Sequence, residues 1–240
     1  MGEIAESEAA LAARIVSVRD RIHVAAERAS RSPKEITLVA VSKTHPADLV
    51  REAIGAGLAD FGENRVQEAE TKIPEVGRDA ARWHLIGHLQ SNKARRAVEL
   101  FDVIHSVDSL ALVERLDRIC CEVNRLELPV LIQVDLGREA TKTGAPENDL
   151  APAAQAIAAS ERLRLVGLMT LPPFFDNPED ARPFFQRLRK LRDDLQAKGV
   201  FGERPGDLSM GMTHDFEIAI EEGATMVRVG TAIFGERHQK

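Results

Sequence analysis

The sequence predicts a closed (β/α)₈ barrel with one extra helix in front of it, and three observations carry that prediction. Eight short apolar runs, most of them rich in β-branched residues, recur along the chain. Each run is followed by a polar or glycine turn and, in all but the last case, by a segment with helical periodicity. The first run lacks a Gly-x-Gly-x-x-Gly fingerprint and leads instead into Val41-Ser42-Lys43-Thr44-His45, which counts against a dinucleotide fold. Strands alternating with helices imply parallel pairing through crossover helices. Eight such units close a TIM-type barrel, with an open doubly wound sheet as the main competitor.

In chain order, residues 3–30 repeat Ile4, Leu11, Ile15, Val18, Ile22 and Ala26 at helical spacing, and Ser32-Pro33 ends that helix. The predicted strands are 36–42, 58–62, 83–87, 103–107, 130–134, 165–169, 207–211 and 226–230. Helices are expected near 46–56, 64–76, 91–100, 109–125, 147–160, 178–198 and 214–222. Loops at Pro172-Pro173 and across 199–206 read as surface connections, and no linker, repeat array or low-complexity tract interrupts the chain. A single domain over 1–240 is therefore expected, with a helix in 1–32 and the barrel in 36–235. At 240 residues this is near the upper size for one core.

A net charge of −6 argues against nucleic acid or an anionic membrane as the main partner. No window reaches the ~18–20 apolar residues of a membrane span, and Met1-Gly2-Glu3-Ile4 does not begin like a secretory signal. The expected location is cytoplasmic. Cys120 and Cys121 are neighbours, a spacing that rarely meets disulfide geometry, and two thiols make no zinc site. Tyrosine is absent from the whole chain, which excludes any mechanism that needs a phenol.

Barrel active sites are built at the C-terminal ends of strands, and here those ends are polar. They carry Ser42-Lys43-Thr44-His45, Gly62-Glu63-Asn64-Arg65, Gly87-His88-Leu89-Gln90, Gln133-Val134-Asp135, Ser209-Met210-Gly211-Met212 and Arg228-Val229-Gly230-Thr231. The period of two places Lys43 on the face of Val39 and Val41, which should point inward. A lysine at an apolar mouth is paired, depressed in pKa or covalently used, or it snorkels outward. Gly230-Thr231 and Ser209-Met210-Gly211 suit an anion site in the last two loops, and two ordinary glycine turns are the plainer reading. Arg228 shares the face of Gly230; it could bind a phosphate, reach another part of a ligand, or pair with a buried carboxylate. His84, His88 and His105 lack the close helical spacing of metal-binding pairs, so no metal is expected.

With these residues in place the sequence resembles the YggS/PROSC family, the pyridoxal 5′-phosphate (PLP) homeostasis proteins, which are related to the N-terminal barrel of bacterial alanine racemase. The matching segments are Val39–Thr44, Phe61–Glu68, Trp83–Lys93, Gly167–Thr170, Leu208–Met212 and Val227–Gly235, in the family's order. The resemblance implies a fold-type III PLP barrel with PLP as a Schiff base on Lys43. It also implies that Ser209, Gly230 and Thr231 hold the phosphate and that Arg228 faces the pyridine nitrogen, with Asn64 and His88 near the ligand. The chain departs from the family at Thr213-His214-Asp215, where Ser-Asp-Asp or Ser-Asn-Asp is usual, and at Asp135, where asparagine is usual.

The function so implied is storage, buffering or transfer of PLP, with PLP-dependent apo-enzymes as partners, a monomeric state and no catalytic residues. The alternatives are a PLP-dependent amino-acid racemase and an aldolase-like barrel acting on a phosphorylated metabolite. The alanine racemase route needs a tyrosine from a second domain; this chain has no tyrosine, and only Glu236–Lys240 follow Gly235.

Overall fold

The structure, a computed structural model, describes residues 2–137 and 143–235, with side chains from Ala9 onward. The residues after Gly235, on which the expectation of a missing second domain rests, lie outside the described residues.

Eight parallel strands form a closed barrel in sequential order: β1 (Thr37–Val41), β2 (Asp60–Glu63), β3 (Arg82–Leu85), β4 (Val103–Val107), β5 (Leu128–Gln133), β6 (Leu163–Met169), β7 (Asp207–Met212) and β8 (Met226–Val229). The barrel closes where β1 pairs with β8, Val39 opposite Arg228 and Ala40 opposite Val229. This excludes the open sheet.

The first helix, α1 (Gly2–Arg28), turns Leu11, Ile15, Val18, Ile22 and Ala26 inward, the stripe read from the sequence. The crossover helices follow as α2 (Ala47–Gly55), α3 (Val66–Val76), α4 (Ala94–Leu100), α5 (Leu110–Glu122), α6 (Leu150–Ala159), α7 (Arg182–Gln196) and α8 (Phe216–Glu221). A short α9 (Thr231–Phe234) comes after β8, where no helix is predicted. Arg14 Nε donates to Ile233 O at 2.6 Å, and Arg31 Nη1 donates to Ile220 O and Ala224 O at 2.8 Å. These bonds tie α1 and its exit to α8 and α9, beneath the loops that carry Gly230 and Thr231.

The main core lies between strands and helices, where Phe61, Trp83, Leu85, Ile104, Val130, Leu168, Leu208 and Val227 meet the helices. Inside the barrel, Val103, Leu131 and Met169 form a separate small apolar cluster. No helix among the described residues is long and apolar enough to cross a membrane.

Candidate cofactor site

Lys43 sits between β1 and α2, half-buried, on a backbone fixed from both sides. Ser42 N–H donates to Gly62 O at 3.1 Å, its carbonyl accepts from Lys72 Nζ at 2.7 Å, and its hydroxyl donates to Glu63 Oε1 at 2.7 Å. On the other side Thr44 has φ = 68°, the left-handed region, a costly conformation for a β-branched residue. Its N–H is held by Glu68 Oε1. Lys72 joins the two sides, donating to Glu63 Oε1 and Glu68 Oε1 at 2.7 Å each. Burial pushes the Glu63 carboxyl above the ordinary carboxylate range, against the pull of Lys72 and Ser42. Its Oε2 is buried without a hydrogen-bond partner.

Across the β1–β8 seam stands a group of hydroxyls and backbone donors. Gly230 N–H faces Thr213 Oγ1 at 3.3 Å, and Thr231 is exposed directly after it. Asp215 shapes this loop by accepting from Met212 N–H at 2.7 Å. Gly211 has φ = 89°, and an added Cβ would lie 2.6 Å from Ala219 Cβ, so only glycine lets β7 turn here against α8. Thr213 is thus the departure from the family pattern that faces the cradle.

Arg228 lies under this group, 2% exposed. Its Nη1 donates to Ser209 Oγ at 2.6 Å and its Nη2 to Thr170 O at 2.9 Å. Among the described residues no carboxylate forms an ion pair with it, so of the three roles left open by the sequence, the structural ion pair is not the one found. Burial lowers its pKa to about 10, and Asp215 opposes this from a distance. Ser209, expected beside the phosphate, is fully buried below the cradle, its hydroxyl held between Arg228 and His105 Nδ1 at 2.9 Å. The hydroxyl at Gly230 N–H is that of Thr213, which the sequence reading did not name as a ligand residue.

Asn64 and His88 meet at the ends of β2 and β3, on the rim of a pocket of about 480 Å³ shared with Arg65, Gln90 and Lys93. Gly87 must be glycine, because an added Cβ would lie 2.2 Å from Asn64 O. His88 Nδ1 lies 3.3 Å from Asp108 Oδ2. Asp135 closes β5 against Ala145, its N–H donating to Ala145 O at 3.0 Å. No group of three or more His, Cys, Asp or Glu suited to a metal occurs among the described residues. Burial raises the Cys120 thiol to about 11, which leaves it unreactive.

The residues that sequence reasoning missed are the supporting ones. Glu63 was visible only as part of a polar strand end, and Glu68 and Lys72 only as an i,i+4 pair on α3, a spacing common on solvated helices. His84 and His105 read as ordinary core histidines.

A lysine that follows β1 of a closed parallel barrel, with hydroxyls and a glycine N–H in the loops after β7 and β8, is the arrangement to compare with known proteins. The family model described as alanine racemase, N-terminal domain, matches residues 15–238. The pyridoxal phosphate homeostasis protein of Aquifex aeolicus is 42% identical over 93% of this chain and 97% of its own length. That of Escherichia coli K12 is 44% identical over 95% and 97%. This chain belongs to the family of pyridoxal phosphate homeostasis proteins. PipY of Synechococcus elongatus PCC7942 has been solved without PLP and with PLP bound. Both structures match with a TM-score of 0.82 at 42% identity, covering 94% of this chain and all of theirs. Alanine racemase of Corynebacterium glutamicum, at 20% identity and a TM-score of 0.63, shares the fold, and this chain spans 63% of its length.

Proposed function

We propose that this protein binds PLP on Lys43 and stores, buffers or hands over the cofactor without turning over amino acids. One observation carries the reading: among the described residues Arg228 is a buried cation that no carboxylate pairs with, on the strand that pairs with β1, after which Lys43 follows. A buried guanidinium left open on one edge favours an incoming hydrogen-bond acceptor, and the unprotonated pyridine nitrogen of PLP is one. The donor set fits as well, because Thr213, Thr231 and the Gly230 N–H offer neutral hydrogen bonds of the kind that cradle phosphate.

When bound, PLP supplies an aldehyde that condenses reversibly with amines. In this reading Lys43 would be the amine that holds the cofactor, the pinned Ser42 and Thr44 would fix its direction, and Arg228 would meet the pyridine nitrogen. A guanidinium donates and does not accept, so it favours an unprotonated nitrogen, a weak electron sink. Asn64 and His88 border the ring side of the mouth. The absence of tyrosine removes the second acid/base of the racemase route. Cytoplasmic location, a monomeric single domain and delivery to PLP-dependent apo-enzymes belong to the same proposal.

Borohydride reduction followed by peptide mapping tests it, and the pyridoxyl group should sit on the peptide containing Lys43. Thr213→Val and Thr231→Val should each weaken PLP about two- to tenfold, the worth of one hydrogen bond, and weaken pyridoxal much less. Labelling on another lysine, or equal losses for both ligands, refutes the site. Racemisation of L-alanine near the ~10 s⁻¹ of a typical enzyme refutes the non-catalytic reading.

A further inference from the structure

Four buried or half-buried side chains connect Arg228 to the opposite end of the barrel. Asp60 opens β2 at the N-terminal end of the strands, where it lines a cleft of about 680 Å³ together with Arg19, Lys34 and Thr37. Its side chain is 20% exposed. Asp60 Oδ1 lies 2.9 Å from His84 Nε2, His84 Nδ1 lies 2.9 Å from His105 Nε2, and His105 Nδ1 lies 2.9 Å from Ser209 Oγ. Ser209 Oγ in turn accepts from Arg228 at 2.6 Å. Both imidazoles and the serine are fully buried, so none faces bulk solvent.

Protons can be assigned along this chain from its lower end. A carboxylate only accepts, so His84 donates from Nε2. A neutral ring carries one N–H, which makes His84 Nδ1 an acceptor and obliges His105 to donate from Nε2. By the same rule His105 Nδ1 accepts, and Ser209 gives its single proton downward. Ser209 is then left with lone pairs towards Arg228 and no proton for a ligand. Burial pushes the pKa of both rings down, most strongly that of His105, where His84 and Arg228 add to the effect; at His84 the Asp60 carboxylate pulls the other way.

We propose that Asp60, His84 and His105 are positioning residues for Arg228: the carboxylate at the bottom of the barrel fixes the direction of every hydrogen bond up to the guanidinium. With Ser209 and Thr170 O as fixed acceptors on one edge, Arg228 holds one plane and keeps its remaining N–H groups for the ligand. The chain's cofactor role rests on the reading that Arg228 faces PLP; its direction does not.

Nitrogen-15 NMR of histidine-labelled protein, with and without PLP, reads the tautomers directly. Wild type should show both rings neutral and protonated at Nε2. In Asp60→Asn the amide can donate or accept, so the direction is no longer imposed. His105 should then become partly Nδ1-protonated, the absorption band of bound PLP should shift, and PLP affinity should fall about three- to tenfold, near the worth of one hydrogen bond. Asp60→Glu accepts only and should restore all three readouts, which loss of packing alone would not do. An Nδ1-protonated His105 in wild type overturns the assignment, and this holds even where Asp60→Asn fails to fold. A tautomer change in Asp60→Asn with unchanged affinity and spectrum overturns the positioning role. If Arg228→Gln leaves PLP affinity and spectrum untouched, the cofactor reading of Arg228 fails and takes the positioning role with it, whatever the tautomers.

Discussion

The wall of this barrel has two sides built on different chemistry. Towards the helices, Phe61 and Trp83 pack with ring centroids 5.7 Å apart among leucines, isoleucines and valines. Towards the axis, the same strands carry His84, His105, Ser209 and Arg228, all buried and all hydrogen-bonded to named partners. The outer side is stabilised by area removed from water, roughly 1.5–3 kcal/mol for each large apolar side chain, and many substitutions of similar volume would serve. The inner side gains little net stability, since each hydrogen bond replaces one to water. What it gains is fixed geometry, because a buried polar group with one available partner has one orientation. The teaching is that stability and ligand positioning are carried by opposite faces of one set of strands.

Breaking the outer side should give the largest loss of stability with the least effect on the site. Trp83→Ala is expected to cost about 3–5 kcal/mol, the usual range for deleting a buried aromatic. Urea denaturation should show this, while the fraction that remains folded binds PLP with near wild-type affinity. A matching loss of affinity would mean that the two sides are mechanically coupled.

The buried ion pair behind Lys43, where Glu63 on the helix side of β2 meets Lys72 of α3, should couple the two properties when broken. Lys72→Met leaves Glu63 and Glu68 without their shared cation and should cost about 3 kcal/mol, as expected when one partner of a buried pair is removed. Adding Glu63→Leu removes the stranded carboxylate and should recover much of that stability. PLP affinity should stay low in the double variant, because Ser42 still lacks both of the side-chain partners, Lys72 and Glu63, that seat Lys43. Recovery of affinity together with stability would show that the network is only structural.

The smallest effect sharpens the comparison. Thr44→Gly relieves a left-handed conformation that costs a residue with a Cβ about 1 kcal/mol. The melting temperature should rise by a few degrees and PLP should bind more weakly, since the freed backbone no longer holds Lys43 in one direction. A rise in both would remove any role for the strained turn.

Much of the fold was legible in the sequence, because a strand of a parallel barrel is buried on both faces and reads as a short apolar run between turn residues. All eight runs are strands in the closed order. The misses are of another kind. β5 and β6 each begin two residues earlier than predicted, at Leu128 and Leu163, and these two residues pair with each other. Strand starts here follow the neighbour's register and not local propensity, and Pro129 within β5 masked the signal further. The four-residue α9 has too few turns to show a period, and its docking against Arg14 of α1 is a contact between the two ends of the chain. At the site, Lys43, Arg228, Gly230 and Thr231 stood out as polar residues or glycines at strand ends, where barrel chemistry gathers.

Sequence alone determined the order of strands and helices, the inward face of Arg228, and the absence of a phenol. Each of these follows from periodicity or from composition, which are local properties. Only the tertiary structure decided that Ser209 faces down to His105 while Thr213 faces Gly230. It alone brought Glu63, Glu68 and Lys72 together behind Lys43, and joined Asp60 to Arg228 through two histidines from different strands. The physical reason is that a buried side chain's role is set by the one partner within about 3 Å, and in a barrel that partner comes from a neighbouring or opposite strand dozens of residues away.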